Sequence, residues 1–362
     1  MDGRIEQLRA YMRSEIRALQ PYAAEPAGPS IRLDANESPY DLPEDFKQDI
    51  LEGLRALPWN RYPDPLAVEL RQVLARQEGV SPDQIVVGNG SDEMIRDLLT
   101  VYGGPETRTV FPVPTFSMYR LLALASGSTP VGVRLNEDWS LNPEALLAEL
   151  QAPAGRLAFL ASPNNPTGNC FAVEQIEAIL RGTDRLVVVD EAYRLFYGGT
   201  LRDRLADYPN LAILNTFSKS MSLAGLRVGY LIAHPEVVSA VNRVRLPYNL
   251  DAVAQYIAVR AASRPELWAA QAEQVKSERE RLARALAALP EITVYPSCAN
   301  FLLVRVPEAA QLRRELAVGG VAVRGFAATE GLGDCLRVTV GRPAENDRFL
   351  ELCGQLLNSR KG

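Results

Sequence analysis

Apolar residues follow two rhythms along this chain. Short blocks dominated by aliphatic side chains occur at 85–87, 157–161, 186–189 and 211–214, and Arg108 to Phe111, which ends on Val110 and Phe111, reads as a further strand. Blocks this short, apolar at consecutive positions, predict strands buried on both faces. Between them, apolar residues recur every three or four positions over 66–78, 92–101, 116–125 and 173–180. That period predicts helices, the first ending on Gly79 and the second capped by Ser91. Leu66, Leu70, Val73 and Leu74 share the apolar face of the first. Strands alternating with helices predict an α/β fold, a mostly parallel central sheet sandwiched by helices.

The rhythm changes toward both ends. Ile5, Leu8, Met12, Ile16 and Leu19 predict an amphipathic helix over 4–19, closed by Pro21. Its apolar stripe needs a surface to pack on, such as a second subunit. Residues 23–45 are rich in proline and small side chains and read as an extended connector. The sequon-like Asn36-Glu37-Ser38 inside it is taken as chance. A long helical region covers 235–289, interrupted at Pro247-Tyr248-Asn249. Strands at 301–306, 321–324 and 336–340, a helix at 308–317 and a last helix from 344 then predict a smaller α+β domain. The expected division is an arm at 1–40, belonging to the small domain or to a dimer contact, a large domain at 41–250 and a small C-terminal domain at 251–362.

Composition narrows the function. With 39 basic and 44 acidic residues the net charge is −5, which gives no reason to expect a nucleic-acid partner. No apolar run reaches the roughly 20 residues needed to span a bilayer. The first 19 residues are charged throughout, unlike a secretory signal, so a cytoplasmic location is expected. Cys170, Cys298, Cys335 and Cys353 form no CxxC pair and read as reduced thiols, Cys170 as a small core residue, with a reactive thiol beside a motif as the alternative. There is one histidine, His234, placed before Pro235 at a helix start. A multi-histidine metal site is therefore impossible, and proton transfer is expected to fall to another side chain.

In an open parallel sheet, ligands gather beyond the carboxyl ends of the strands. Four polar clusters follow predicted strands directly: GNGSD at 88–92, SPNNPTG at 162–168, DEAY at 190–193 and TFSK at 216–219. At 88–92, glycines allow close backbone approach, and the next helix offers free N–H groups to an anion such as phosphate. The pattern is neither GxGxxG nor a GKS/T phosphate loop, and a plain capped turn is the competing reading. Asp190 ends an aliphatic strand, where a carboxylate is costly unless paired. A protonated ring nitrogen of a flat cofactor is one partner; a metal shared with Glu191, or a helix cap, are the others. Tyr193 and Asn165 are candidates for a ring hydroxyl. Phe116 is a candidate to stack on the ring, or a core side chain. Lys219, among Thr216, Ser218, Ser220 and Ser222, has the setting of a Schiff-base nucleophile, with an exposed loop lysine as the alternative. Arg227 adds positive charge for a phosphate. As a set, these residues fit pyridoxal phosphate.

With those residues in place, the chain resembles the fold-type I aminotransferases and, within them, the histidinol-phosphate aminotransferases. The resemblance runs from LQPY at 19–22, DANESPY at 34–40 and NRYPDP at 60–65, through GNGSDE, SPNNPTG, DEAY and SKSMSLAGLRVGY, to CLRVTVG at 335–341. It implies pyridoxal 5'-phosphate in the large domain and a smaller α+β domain beside it. Lys219 would carry the cofactor and later shuttle a proton, and Asp190 would hold the ring nitrogen. Asn165 and Tyr193 would contact the ring 3'-oxygen, and Phe116, where relatives often carry tyrosine, would stack on the ring. Gly90, Ser91, Asp92, Thr216, Ser218 and Arg227 would surround the cofactor phosphate, with Tyr62 reaching it from a neighbouring subunit. Arg337 would bind the substrate carboxylate or, in the other half-reaction, the substrate phosphate, assisted by Tyr22 and Arg324. Gly325, where relatives carry a polar residue, and Arg342, where threonine is usual, are expected beside the substrate end. The implied reaction takes an amino donor and a 2-oxo acid: L-histidinol phosphate and 2-oxoglutarate give imidazole-acetol phosphate and L-glutamate, in a homodimer with shared active sites. An aromatic aminotransferase or a phosphothreonine-type decarboxylase would share every cofactor residue. A regulatory ligand-binding module would need a DNA-binding region that the first 40 residues do not supply.

Overall fold

The computed structural model describes residues 2–17, 19, 28–289, 291–326 and 331–360. The first strand, β1 (Ile31–Leu33), lies inside the stretch expected to be a connector. Seven strands follow: β2 (Ile85–Asn89), β3 (Arg108–Val113), β4 (Thr129–Arg134), β5 (Gly155–Ala161), β6 (Leu186–Asp190), β7 (Leu211–Thr216) and β8 (Val228–Ala233). They form one sheet in the order β2-β8-β7-β6-β5-β3-β4. β8 runs antiparallel to both neighbours, and every other neighbouring pair is parallel.

The consecutive apolar positions have the expected cause. On β7, Leu211 and Ile213 enter one core while Ala212 and Leu214 enter the other. One core is closed by Ile176, Ile179 and Leu180 of the helix Val173–Gly182 and by Leu70, Val73 and Leu74 of Val68–Glu78. The other is closed by Met94, Ile95, Leu98 and Leu99 of Ser91–Tyr102. Each such side chain, fully buried, contributes about 1.5–3 kcal/mol.

The second sheet adds β9 (Thr293–Val294), β10 (Phe301–Arg305), β11 (Val321–Gly325) and β12 (Cys335–Thr339), in the order β1-β11-β12-β10-β9. β1 joins it in parallel with β11, Ile31 opposite Val321. Its core holds Leu33, Leu302, Val304, Val338 and Phe349, with Leu282 and Leu286 of the long helix Pro265–Ala287 packed in.

Several expectations are corrected. The N-terminal helix is two, Asp2–Ala10 and Ser14–Arg17, and Arg17 donates to the Ala10 and Met12 carbonyls freed at the break. Its stripe stays exposed at Ile5, Leu8 and Met12. Leu66 lies outside the helix Val68–Glu78 and is exposed, because the Asp64 carboxylate takes the N–H groups of Leu66 and Val68 and starts the helix there. Ser91 is the first helical residue; Gly90 is the cap. The region 235–289 breaks twice, into Pro235–Val244, Ala252–Ala262 and Pro265–Ala287. The second break falls at Pro265, which tolerates only the first turn of a helix. The helices Glu44–Leu54 and Pro143–Gln151, and strands β4 and β8, were not anticipated. No helix among the described residues is long and apolar enough to cross a membrane.

Candidate active site

The carboxyl ends of β5, β6 and β7 open into a cleft of about 410 Å³, roofed by residues of β1, β11 and β12. Asp190, the last residue of β6, shares a face with Leu186 and Val188, so the strand alternation aims it at the cleft floor. Its Oδ2 accepts from the Tyr119 hydroxyl at 2.8 Å and its Oδ1 from the Ala192 N–H at 3.0 Å. Burial raises its pKa to about 6, against the pull of those two donors. Glu191, one residue on, turns to the opposite face, where Thr200 and the Leu201 N–H satisfy it. The two carboxylates therefore do not converge on a metal, and no metal-binding group of acidic, histidine and cysteine side chains occurs among the described residues.

Lys219 follows β7 and is no exposed loop lysine. Its Nζ lines the cleft and donates to the Ala35 carbonyl at 3.2 Å. Burial, then the nearby Arg337 and Arg227 cations, lower its pKa to about 8. That leaves an appreciable fraction of free amine near neutral pH.

One end of the cleft is built for an anion. Gly90 has φ +77°, and a Cβ there would fall 2.7 Å from Arg227 Nη2. The turn thus presents the N-terminus of Ser91–Tyr102 directly beside a guanidinium. Arg227 also donates to Ser218 Oγ at 3.3 Å and to Asp92 Oδ2 at 3.2 Å. The Thr216 and Ser218 hydroxyls lie 3.0 Å apart. The other end carries two arginines on facing positions of β11 and β12, Arg324 and Arg337. Arg337 donates to Asn165 Oδ1 at 2.7 Å and to the Asp34 carbonyl at 2.6 Å, and lies 5.5 Å over the Phe301 ring. Asn164 secures its loop by donating to the Pro114 carbonyl and accepting from Thr115, which leaves Asn165 in the cleft wall. Phe116 also lines the cleft, edge-on to Tyr119.

Most of the anticipated residues therefore meet: Ser91, Asp92, Phe116, Asn165, Asp190, Tyr193, Thr216, Ser218, Lys219, Arg227, Arg324 and Arg337 line one cleft, with Gly90 at its rim. Tyr62 does not join them; it is 79% exposed and stacks on Tyr248. Tyr22 lies outside the described residues. Gly325 and Arg342 were expected beside the substrate end, and neither lines the cleft. Gly325 leaves room for Arg313, whose Cδ would lie 2.9 Å from an added Cβ. Arg342 donates to the Pro39 carbonyl at the start of the last helix.

Three residues escaped the sequence reading. Tyr119 holds Asp190, and burial with the adjacent carboxylate keeps its hydroxyl protonated as a donor. Asn36, dismissed as a chance sequon, is buried at φ +54°. It donates to the Tyr193 hydroxyl through Nδ2 and to Thr339 through its N–H, and accepts from Asn300. Gly229 lets β8 pass the phosphate-end turn, since a Cβ there would lie 2.3 Å from the Ser91 nitrogen. The available signal for Asn36 was its residue type, since asparagine enters the left-handed region several-fold more readily than most non-glycine residues.

The donor set matches pyridoxal phosphate. An anion cradle, a floor carboxylate suited to a ring N–H, an aromatic wall and a free amine surround one cavity. Fold and cleft together define a fold-type I enzyme anchored on a lysine. The family model for aminotransferase class I and II matches residues 29–352, and the chain belongs to that family, among its histidinol-phosphate aminotransferases. It is 41% identical over 353 residues to histidinol-phosphate aminotransferase 2 of Nitrosococcus oceani, covering 96% of this chain and 97% of that protein. Against histidinol-phosphate aminotransferase of Thermococcus gammatolerans it is 42% identical, covering 93% and 94%. The crystal structure of histidinol-phosphate aminotransferase from Sinorhizobium meliloti, in complex with pyridoxal-5'-phosphate, superposes with a TM-score of 0.87 over 97% of this chain and 98% of that one. At 24% identity that likeness speaks for the fold.

Proposed function

We propose that the chain uses pyridoxal 5'-phosphate to transfer the amino group of L-histidinol phosphate to 2-oxoglutarate, yielding imidazole-acetol phosphate and L-glutamate in L-histidine biosynthesis. The observation that carries this reading is a single cleft with cationic groups at both ends and a lysine of lowered pKa between them. The names of the relatives at 41% and 42% identity support the choice of substrate.

Bound in this cleft, the cofactor supplies an aldehyde to receive the amino group and a conjugated ring to spread charge from the substrate carbon. Every other task falls to side chains of the chain. The N-terminus of Ser91–Tyr102, with Gly90, Thr216, Ser218 and Arg227, grips the phosphate, and Asp92 orients Arg227. Asp190, which accepts from Tyr119, would keep a proton on the ring nitrogen. A cation there also relieves the carboxylate of its burial cost. Tyr193 and Asn165 would bind the ring oxygen, and Phe116 would supply an apolar wall for the ring. Lys219 Nζ, as a free amine in the cleft, would take the proton from the substrate Cα and hold it for return. Arg337 is held from two sides and binds the carboxylate of one substrate or the phosphate of the other, with Arg324 and Tyr22 assisting.

The same reading makes the enzyme a homodimer. Trp59, Tyr62, Leu66, Leu246 and Tyr248 are exposed apolar side chains contributed by neighbouring segments of the large domain. A second copy covering them would place Tyr62 at the neighbouring subunit's cofactor phosphate. The reading includes a cytoplasmic location, in keeping with four cysteines held as thiols.

A substrate panel tests the assignment. With 2-oxoglutarate as acceptor, histidinol phosphate is expected to exceed phenylalanine and tyrosine in kcat/KM by at least about tenfold, the scale of one good charged contact. Faster turnover of the aromatic acids, or carbon dioxide release from phosphothreonine without glutamate formation, would overturn it.

A further inference from the structure

Two cysteines meet outside the cleft, at the seam between the sheets. Cys170 ends the loop after β5 that carries Asn164 and Asn165. Cys298 lies between β9 and β10. The loops are laced together: the Cys298 N–H donates to the Gly168 carbonyl at 2.7 Å. A Cβ on Gly168, at φ +82°, would fall 2.7 Å from Ser297 Oγ. Both thiols are half-buried and neighbour each other across the laced loops. The guanidinium of Arg279 stands near the pair, tethered to the Ala299 and Phe196 carbonyls at 2.9 and 3.4 Å. Cys335 and Cys353, by contrast, are buried in the core.

We propose that Cys170 and Cys298 form a peroxide-sensitive dithiol, with Cys298 as the attacking sulfur, whose oxidised form is a disulfide joining the large domain to the small one. The Cys170 thiol and the Arg279 guanidinium, which is anchored on the Ala299 carbonyl next to Cys298, hold the Cys298 thiol below its ordinary range. The same contact and burial push Cys170 up. One proton is thus shared on the Cys170 side, and the Cys298 thiolate is the nucleophile. In the first step the Cys298 sulfur attacks hydrogen peroxide. An S–O bond forms, the O–O bond breaks, and hydroxide leaves. In the second, Cys170 attacks the resulting sulfenic sulfur, the S–O bond breaks, and water departs with the Cys170 proton. A thiolate and a thiol lose two electrons, and the peroxide leaves as one hydroxide, which takes a proton from solvent, and one water. The bond closes a loop of roughly 130 residues, a length at which a cross-link stabilises strongly. It also ties the Asn165 loop to the sheet that carries Arg337. This proposal stands apart from the choice of substrate.

The test uses the full chain loaded with pyridoxal phosphate, reduced, desalted and treated with hydrogen peroxide. Peptide mapping without reductant is expected to show Cys170 joined to Cys298 within one chain, two thiols lost, and full reversal by dithiothreitol. The melting temperature is expected to rise on oxidation. In the reduced protein at pH 7, iodoacetamide should label Cys298 at least roughly tenfold faster than Cys335 or Cys353. Cys170→Ser should leave a dimedone-reactive Cys298 and abolish the cross-link, with transaminase activity of the untreated protein unchanged. A wild-type protein in which Cys298 is oxidised to the sulfinic acid without cross-linking, or in which peroxide spares both cysteines, would overturn the proposal whatever the variant does.

Discussion

Arg194 and Lys219 are two basic side chains, each placed just beyond the end of a neighbouring strand, and they meet opposite fates. Arg194 goes to the far side of the sheet, where Glu78 accepts from both of its terminal nitrogens and the Tyr230 hydroxyl lies 3.3 Å away. Tyr230 in turn donates to Glu78 at 2.6 Å. Burial alone would lower the Arg194 pKa; Tyr230 and Glu78 more than reverse this, so the charge is locked on. Lys219, on the cleft side, has one backbone carbonyl as its described partner and two arginines nearby, and its charge is loosened. One region closes its electrostatics internally and serves stability. The other leaves charge to be completed by a visitor and serves chemistry. The contrast separates a buried ion cluster from a site more sharply than burial does, since both are buried.

The comparison is broken most severely at the lysine. Lys219→Ala is expected to lower transamination by at least about 10³-fold, with no loss of absorbance change attributable to other residues. The melting temperature of the cofactor-free protein should change little, because the one described partner lost, the Ala35 carbonyl, lines the open cleft where water can replace the amine. A variant that transaminates at the wild-type rate would remove Lys219 from the mechanism. The reverse pattern is expected for Glu78→Ala, which strands Arg194 and the Tyr230 hydroxyl. Its stability by urea unfolding should drop by about 3–5 kcal/mol, while kcat of the folded fraction stays within a few-fold. The smallest effect concerns pH. Capture of pyridoxal phosphate by cofactor-free protein needs the neutral Lys219 amine, whose population rises tenfold per pH unit below its pKa. The capture rate, followed by stopped-flow absorbance, should climb with pH and level off near pH 8. In Arg337→Ala the repelling cation is gone, the pKa rises, and the bend should move to higher pH. An unmoved bend would show that burial and Arg227 alone set the value.

How far this could be read from the sequence depended on whether the determining contacts were local. β5, β6 and β7 were visible as apolar blocks because both of their faces are covered. β4 was not, because it is an edge strand of half-exposed residues containing Pro130 and Gly132. β1 hid in a proline-rich stretch because only three residues pair, and their partner lies near the other end of the chain. In the site, Lys219, Asp190 and the glycine turn stood out because each directly follows a strand. Tyr119 and Asn36 did not, since their partners are 71 and 303 residues away along the chain. Gly325 and Arg342 were misplaced for the same reason: adjacency to Arg324 and Thr339 in sequence said nothing about which way the next residue turns.

The pairing of β1 with β11 bears on how the protein comes into being. During synthesis the residues that become β1 emerge early and find no strand to join until β11 has been made. At ordinary elongation speeds that wait is roughly 15–60 s. Ala35 and Asn36, which touch Lys219 and Tyr193, hang from β1. A nascent chain can complete the seven-stranded sheet and still lack the wall that closes over its lysine, so the catalytic apparatus is finished only after β11 and β12 have been made.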